Sequence, residues 1–383
     1  MSTGGLGEVE TQSALLFTGE EPLVLESGAR LDEVEVAWES YGELNDERSN
    51  AVFVCHALTG DAHAAGHHGD PARRGWWDRL IGPGRPIDTD RFFVISPNLL
   101  GGCQGTTGPS SVNPQTGERY GLEFPMFSVR DLNTVHRRLL DHLGIGRLHA
   151  AIGGSLGGMQ ALQWAIDDPM AMELCVAICA SARLSPMNIA FSTVAREAIM
   201  RDPDFQGGRY HESERRPNIG LAVARMMAHI TYLSEESFME KFGHERRVDG
   251  AEPGLGPDYE VEHYLHHQGA SFLSRFDALS YLYLTRTMDY FAPFEEEGVE
   301  GRLAGNPTKV LAVSFSSDWR FDAGHSAFIV ERLRAAGWEA EQVDIESPWG
   351  HDSFLLDVPE YHELVARTLA TGLLPGEAQA AAS

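Results

Sequence analysis

The run Gly153-Gly154-Ser155-Leu156-Gly157 constrains this chain more than any other stretch. It follows an apolar, strand-like segment, Leu148-His149-Ala150-Ala151-Ile152, and leads into a helix-like one from Gly158 to Ala165. A G-x-S-x-G match alone also fits a Gly/Ser-rich turn with no chemistry. Between a strand and a helix it reads as a nucleophile elbow, a sharp turn that lifts a serine hydroxyl clear of the backbone. Glycines on either side of the serine avoid clashes in that turn. The start of the helix offers free N–H groups to a developing oxyanion.

Such a serine needs a base and a carboxylate to orient the base, and on this architecture they follow in the order Ser, acid, His. The segment Lys309 to Phe315 reads as a buried strand with Asp318 just beyond it, and Glu341 to Ile345 reads as another, followed by a loop that carries His351. Side chains just past strand ends fit the rule that open α/β sheets carry their sites at the carboxyl ends of strands. His351 is the candidate base and Asp318 the candidate orienting acid. Asp322 and Asp352 compete for the acid's role; Asp322 reads as the cap of the following helix, and Asp352 is adjacent to the base.

Strand-like and helix-like segments alternate from Ala51 to Ile178 and again from Lys309 onward, which argues for a mostly parallel sheet covered on both faces. Val129 to Leu143 has helical spacing and stops at Gly144. Residues 1–20 read as loosely ordered and Pro22 to Leu44 as a pair of strands. Between 183 and 300 no strand is evident; helical patterns at Asn188–Met200, Leu221–Ile230 and Ser271–Tyr290 are joined by polar, Pro/Gly-rich connections at 206–217 and 249–257. The expected organisation is a core of residues 1–182 and 301–383 with a helical lid at 183–300, inserted where it can cover the serine and keep water out.

The chain has 383 residues and a net charge of −26, so nucleic acid and anionic membranes are poor partners. The acidic excess fits either adaptation to high salt or plain solubility. No apolar run reaches membrane-spanning length and no secretory signal opens the chain. The four cysteines, Cys55, Cys103, Cys175 and Cys179, lie mostly in apolar surroundings and read as free thiols of a cytoplasmic protein. His56, His63, His67 and His68 crowd one segment, but their spacing suits no common zinc template, and no metal is expected. The glycines of 101–108 lack the endings of a phosphate-binding loop and more simply shape a loop near the site.

The motifs His56-Ala57-Leu58-Thr59-Gly60-Asp61-Ala62-His63, Gly75-Trp76-Trp77-Asp78, Ile81-Gly82-Pro83-Gly84, the run Asn98 to Pro109, Gly153 to Gln160 and Ala224 to Tyr232 together resemble the homoserine O-acyltransferases of the α/β-hydrolase superfamily, over about residues 14–373. The resemblance implies an α/β-hydrolase fold and ping-pong acyl transfer from an acyl-CoA to the hydroxyl of L-homoserine, a step toward methionine. Ser155, Asp318 and His351 would be the catalytic residues. The backbone N–H of Leu156 and one near Leu58 would hold the oxyanion, each such donor being worth about 3–4 kcal/mol. By resemblance, Arg225 holds the substrate carboxylate and Asp352 its ammonium. Arg320, two residues past Asp318, stands where succinyl-using members tend to carry arginine and acetyl-using members an apolar residue; it would pair with the distal carboxylate of a succinyl group. The expected donor is therefore succinyl-CoA, with acetyl-CoA as the alternative. L-serine as acceptor and simple ester hydrolysis stay open. Acyl-CoA is a co-substrate, no cofactor is expected, and the resemblance suggests a homodimer. The acidic surface also calls for a local basic patch to receive CoA phosphates, with Arg183, Arg196, Arg215 and Arg216 as candidates.

Overall fold

A computed structural model of the chain describes residues 5–247, 252 and 254–382. Eight strands form one sheet: β1 (Gln12–Phe17), β2 (Val34–Tyr41), β3 (Ala51–Cys55), β4 (Phe93–Pro97), β5 (Leu148–Gly154), β6 (Met172–Ile178), β7 (Lys309–Phe315) and β8 (Ala340–Ile345). Their order is β1-β2-β4-β3-β5-β6-β7-β8; the β1–β2 and β2–β4 pairs are antiparallel and the remaining pairs parallel. The chain has an α/β-hydrolase fold.

The central strands read as unbroken apolar runs because both sheet faces are covered. In β3, Ala51, Phe53 and Cys55 feed one apolar layer, and Val52 and Val54 the other. The first layer includes α1 (Val129–Leu143) and α2 (Leu156–Asp167). Ser128 and Asp131 cap α1 reciprocally, with 3.1 Å from the Asp131 N–H to the serine hydroxyl and 2.8 Å from the Ser128 N–H to the carboxylate. Gly144 ends the helix at φ 70°.

Between β6 and β7 lie α3 (Pro186–Met200), α4 (Asn218–Tyr232), α5 (Glu235–Phe242), α6 (Glu260–Phe272) and α7 (Ala278–Asp289), with no strand among the described residues from 183 to 300. A Cβ on Gly220 of α4 would sit 2.3 Å from the Ala198 carbonyl oxygen of α3, so these two helices cross at backbone contact. Arg196 of α3 pairs with Asp289 of α7 at 2.7 Å, both side chains buried. The insertion is stitched to the strand-end loops: Trp319 donates to the Leu233 carbonyl at 3.1 Å, and the Ser237 hydroxyl to the Pro348 carbonyl at 2.8 Å.

Three expectations change. Residues 1–20, expected to be loose, include β1, an edge strand whose pairing with β2 was invisible without its partner; residues 1–4 lie outside the described residues. The strand pair expected at 22–44 is a two-residue ladder, Leu23–Val24 with Arg30–Leu31, while Val34–Tyr41 joins the main sheet. The single helix expected over 271–290 breaks into the end of α6 and the whole of α7, because Asp277 caps Ser280 N–H at 3.1 Å and starts a new helix. Part of the 249–257 connection lies outside the described residues.

The elbow depends on backbone contact between three elements. A Cβ on Gly157 would lie 2.0 Å from the Cys55 carbonyl oxygen at the end of β3, and one on Gly153 would lie 2.5 Å from the same atom. Gly157→Ala is therefore expected to destabilise the protein by about 1–3 kcal/mol, read by urea unfolding, and to lower activity out of proportion to the folded fraction.

Candidate active site

Ser155 sits between β5 and α2 at φ 59°, ψ −123°, a left-handed conformation that costs a side-chain-bearing residue energy. Its N–H is held by the Ile178 carbonyl of β6 at 2.9 Å. The strain is sustained by the sheet on one side and α2 on the other. Leu156 opens α2 directly after the serine. Leu58 lies in the turn closed by the Gly60 N–H on the Ala57 carbonyl, 3.0 Å, and faces the same cavity as Ser155.

His351 follows β8 and Asp318 follows β7. The two side chains meet with His351 Nδ1 2.7 Å from Asp318 Oδ2. The other carboxylate oxygen accepts the Arg320 and Phe321 N–H groups at 3.0 and 2.9 Å. Burial pushes Asp318 up, but the His351 ring and these two N–H groups outweigh it and hold the carboxyl below its ordinary value. Of the three carboxylates weighed for the acid's place, Asp318 is the one bonded to His351. Asp322 caps the helix Ala323–Ala335 through Gly324 N–H at 2.9 Å, and Asp352 makes no hydrogen bond to His351 among the described residues. Cys179, at φ 47° past β6, has its sulfur within 4.8 Å of the Asp318 and His351 ligand atoms. Burial, reinforced by Asp318, keeps that thiol neutral.

Ser155 and His351 open onto a cavity of about 270 Å³ whose walls include Leu58, Arg225, Tyr232 and Asp352. Arg225 reaches in from α4, donates to the Thr59 hydroxyl at 3.2 Å, and lies over the Phe272 ring at 4.8 Å. No carboxylate among the described residues lies within ion-pair distance of it. Burial pushes Asp352 up to about 6, against the opposing pull of His351 and Arg225. His229, beside them, accepts or donates at Tyr264 over 3.0 Å; burial, with Arg225 and Lys241 nearby, pushes it down to about 3, so its imidazole stays neutral.

Arg320 does not line this cavity. It is buried, its Nη1 donates to Thr231 at 2.8 Å, and its guanidinium carbon lies 5.7 Å from the centre of the Tyr232 ring, which does line the cavity. Its Nε has no hydrogen-bond partner, and no described carboxylate pairs with it. It neither pairs with Asp322 nor points to solvent.

Sequence reading missed Tyr232, His229, Thr59 and Arg275 as cavity walls. Tyr232, His229 and Thr59 lay inside the motifs already singled out, whereas Arg275 carried no local signal. The histidine cluster splits. His56 is buried with its ring against the Ala57 carbonyl at 2.7 Å, while His63 and His68 converge on Glu39 of β2 at 3.0 and 2.8 Å. The carboxylate that the sequence had not placed near them thus comes from 24 residues upstream. It also accepts the Thr11 and Tyr41 hydroxyls at 2.9 and 2.8 Å, so its roughly four acceptor sites are filled by protein groups alone. Burial raises Glu39, but His63, Tyr41 and Thr11 together hold it below its ordinary value. Of the basic candidates, Arg183 pairs with Glu295, Arg196 with Asp289 and Arg215 with Asp204; Arg183 lines a cavity with its charge already paired, whereas Arg216 lines one with no acid within ion-pair distance among the described residues. The four cysteines are free thiols. No helix among the described residues is long and apolar enough to cross a membrane.

A family model of the alpha/beta hydrolase fold matches residues 50–358. A homoserine O-succinyltransferase of Nocardioides sp. is 60% identical over 96% of this chain and 100% of its own length. The chain belongs to the homoserine O-acyltransferase family. A homoserine O-acetyltransferase of Caulobacter vibrioides is 50% identical over 90% of this chain and 91% of its own. The crystal structure of homoserine O-acetyltransferase from Bacillus anthracis superposes with a TM-score of 0.87 at 29% identity, covering 95% of this chain and 98% of that one.

Asp318→Asn should leave thermal stability close to that of the parent but lower kcat by about four orders of magnitude, because the imidazole loses its orienting acceptor. Steady-state kinetics with intact circular dichroism checks it.

Proposed function

We propose that this chain is a homoserine O-succinyltransferase that works through an acyl-serine. The observation that carries the reading is the company the serine keeps: one small cavity holds Ser155, His351, a guanidinium without a carboxylate partner and a desolvated carboxylate. His351 accepts the Ser155 proton as Oγ attacks the thioester carbonyl. The Leu58 and Leu156 N–H groups stabilise the oxyanion, and CoA leaves as its thiol with the proton returned by His351. L-homoserine then binds with its carboxylate on Arg225 and its ammonium at Asp352. His351 takes the hydroxyl proton, the hydroxyl oxygen attacks the acyl-serine, and Ser155 is regenerated on proton return. Acyl-CoA is a co-substrate and no cofactor takes part. The residues of 183–300 serve as the lid.

Arg320 supports the succinyl assignment. A buried guanidinium without a carboxylate is costly, and a succinyl tail reaching past Tyr232 would supply the missing charge. Apolar side chains left exposed on the insertion, including Ile219 and Met239, support a homodimer formed through these helices. Free thiols support a cytoplasmic setting. A second reading, ester hydrolysis, is favoured by the likeness to a crystallised esterase at a TM-score of 0.85 and 29% identity over 94% of this chain and 100% of that one. The Arg225–Asp352 pair weighs against it, because an ester without an amino-acid part has no use for both charges.

Purified protein given L-homoserine with succinyl-CoA or acetyl-CoA should release thiol and form O-succinylhomoserine preferentially. Arg320→Leu should shift the ratio of kcat/KM values toward acetyl-CoA by at least tenfold. Thiol release without an acylated amino acid would instead favour hydrolysis.

Asp352 is protonated below about 6 and ionised above it in the free enzyme. Only the ionised form attracts an ammonium, so kcat/KM for L-homoserine should rise as pH climbs through about 6 and level off beyond it. Asp352→Asn should remove that limb and raise KM at neutral pH.

A further inference from the structure

A second cavity, of about 420 Å³, adjoins the serine cavity and shares one wall with it, Arg275. Arg119 and Arg216 line it as well. The three arginines come from distant parts of the chain: the loop before a short helical turn, the residue two before α4, and the turn between α6 and α7. None has a carboxylate within ion-pair distance among the described residues. Arg119 donates to the Ser110 carbonyl and Arg275 to the Thr59 carbonyl at 3.3 Å, contacts that position a guanidinium without neutralising it. By contrast Arg215, next in sequence to Arg216, is paired with Asp204.

Among the described residues the only acid on the cavity wall is Asp277, and its oxygens are occupied. One accepts the Tyr210 hydroxyl at 2.7 Å, and the other caps α7. His211 also lines the cavity; its side chain is only 6% exposed and its Nε2 has no hydrogen-bond partner, with Asp277 no nearer than 3.6 Å. Burial lowers its pKa against the opposing pull of Asp277, and Arg119 and Arg216, which line the same cavity, lower it further. The cavity thus combines three uncompensated cations with a buried polar nitrogen free to bond a ligand. On a chain of net charge −26, an approaching polyanion is repelled almost everywhere else, so such a concentration of cations has a use only for an anion.

We infer that this cavity receives the phosphate groups of the CoA donor, held by Arg119, Arg216 and His211, with the pantetheine arm passing Arg275 to present the thioester to Ser155. The inference rests on the acyl-CoA chemistry proposed above. It replaces Arg183, Arg196 and Arg215 as candidates and joins Arg216 to two residues that no local pattern had linked to it. Guanidiniums suit the task because their forked donors match phosphate oxygens in pairs.

The test compares wild type with the double variant Arg119→Ala/Arg216→Ala, two exposed positions where truncation spares the core. One readout is the ratio of kcat/KM for succinyl-CoA to that for succinyl-N-acetylcysteamine, a thioester without the nucleotide. The other is calorimetric binding of adenosine 3′,5′-bisphosphate, the phosphate-bearing part of CoA. The ratio should fall at least tenfold in the variant, and nucleotide binding should weaken by a similar factor. An unchanged ratio together with unchanged nucleotide binding overturns the subsite while leaving acyl transfer standing. Wild type that binds the bisphosphate through these arginines yet transfers from neither thioester supports the subsite and removes the proposed reaction.

Discussion

The structure hangs on the contact between the backbone at the end of β3 and the first turn of α2. Ser155 can hold its left-handed geometry only because Gly157 lets the Cys55 carbonyl come within reach of where a side chain would be. The same helix secures the opposite wall of the cavity one turn later. Gln160 donates to the His56 carbonyl at 3.1 Å, tethering the 57–60 turn that carries Leu58. Gln160 is itself oriented by His136 at 2.9 Å, and burial pushes that imidazole down to about 4, so the pair acts as a neutral hydrogen-bonded brace at ordinary pH. Serine, helix start and the 57–60 turn are therefore tied into one hydrogen-bonded unit, the arrangement that stabilising a transient charge without reorganisation would require.

The base and its carboxylate belong to a second unit, the loops after β7 and β8. These loops are bound to each other by Ser317, whose hydroxyl accepts the Gly350 N–H at 2.9 Å and donates to the Ser347 carbonyl. They are bound to the insertion because a Cβ on Gly350 would lie 2.6 Å from the Ser234 backbone nitrogen. Arg225 and His351 are thus carried by elements in backbone contact with each other. Residues 232–234 and 348–350 join the end of α4 to the loop that carries His351.

What could be read from the sequence follows from how far each interaction reaches along the chain. The elbow, the buried strands and α1 with its glycine stop are set by neighbours within a few residues, and their patterns predicted them nearly to the residue. Asp318 and His351 were legible because the order of elements in a parallel sheet ties strand ends to one edge. Glu39, by contrast, meets His63 and His68 only because β2 pairs with β4, and β1 exists as a strand only because β2 does. The arginines show the limit most sharply. Arg183, Arg196, Arg215 and Arg216 look alike as letters, and only tertiary structure supplies three of them with acids and leaves the fourth facing a cavity beside Arg119 and Arg275. Arg320 was found through a family likeness, since nothing in its own neighbourhood distinguishes it from a surface residue.

With Arg225 and Asp352 in the roles proposed for them, the charges around the serine would suit an amino acid better than water at the acyl-enzyme. Arg225 is held against Phe272 and Tyr232 with a hydroxyl as its polar contact, and Asp352 is desolvated enough to bind its proton more tightly than an ordinary carboxylate. Each charge is unfavourable alone, and one water molecule cannot compensate both. On the proposed roles, a zwitterion whose carboxylate and ammonium lie on one carbon would neutralise the two together, and its arrival would lower the Asp352 pKa by supplying the missing cation. The hydroxyl is then delivered by the length of the side chain that separates it from that carbon. The same pairing would supply binding energy to displace water from a small cavity, and so would suppress hydrolysis of the acyl-serine at the moment the acceptor is in place.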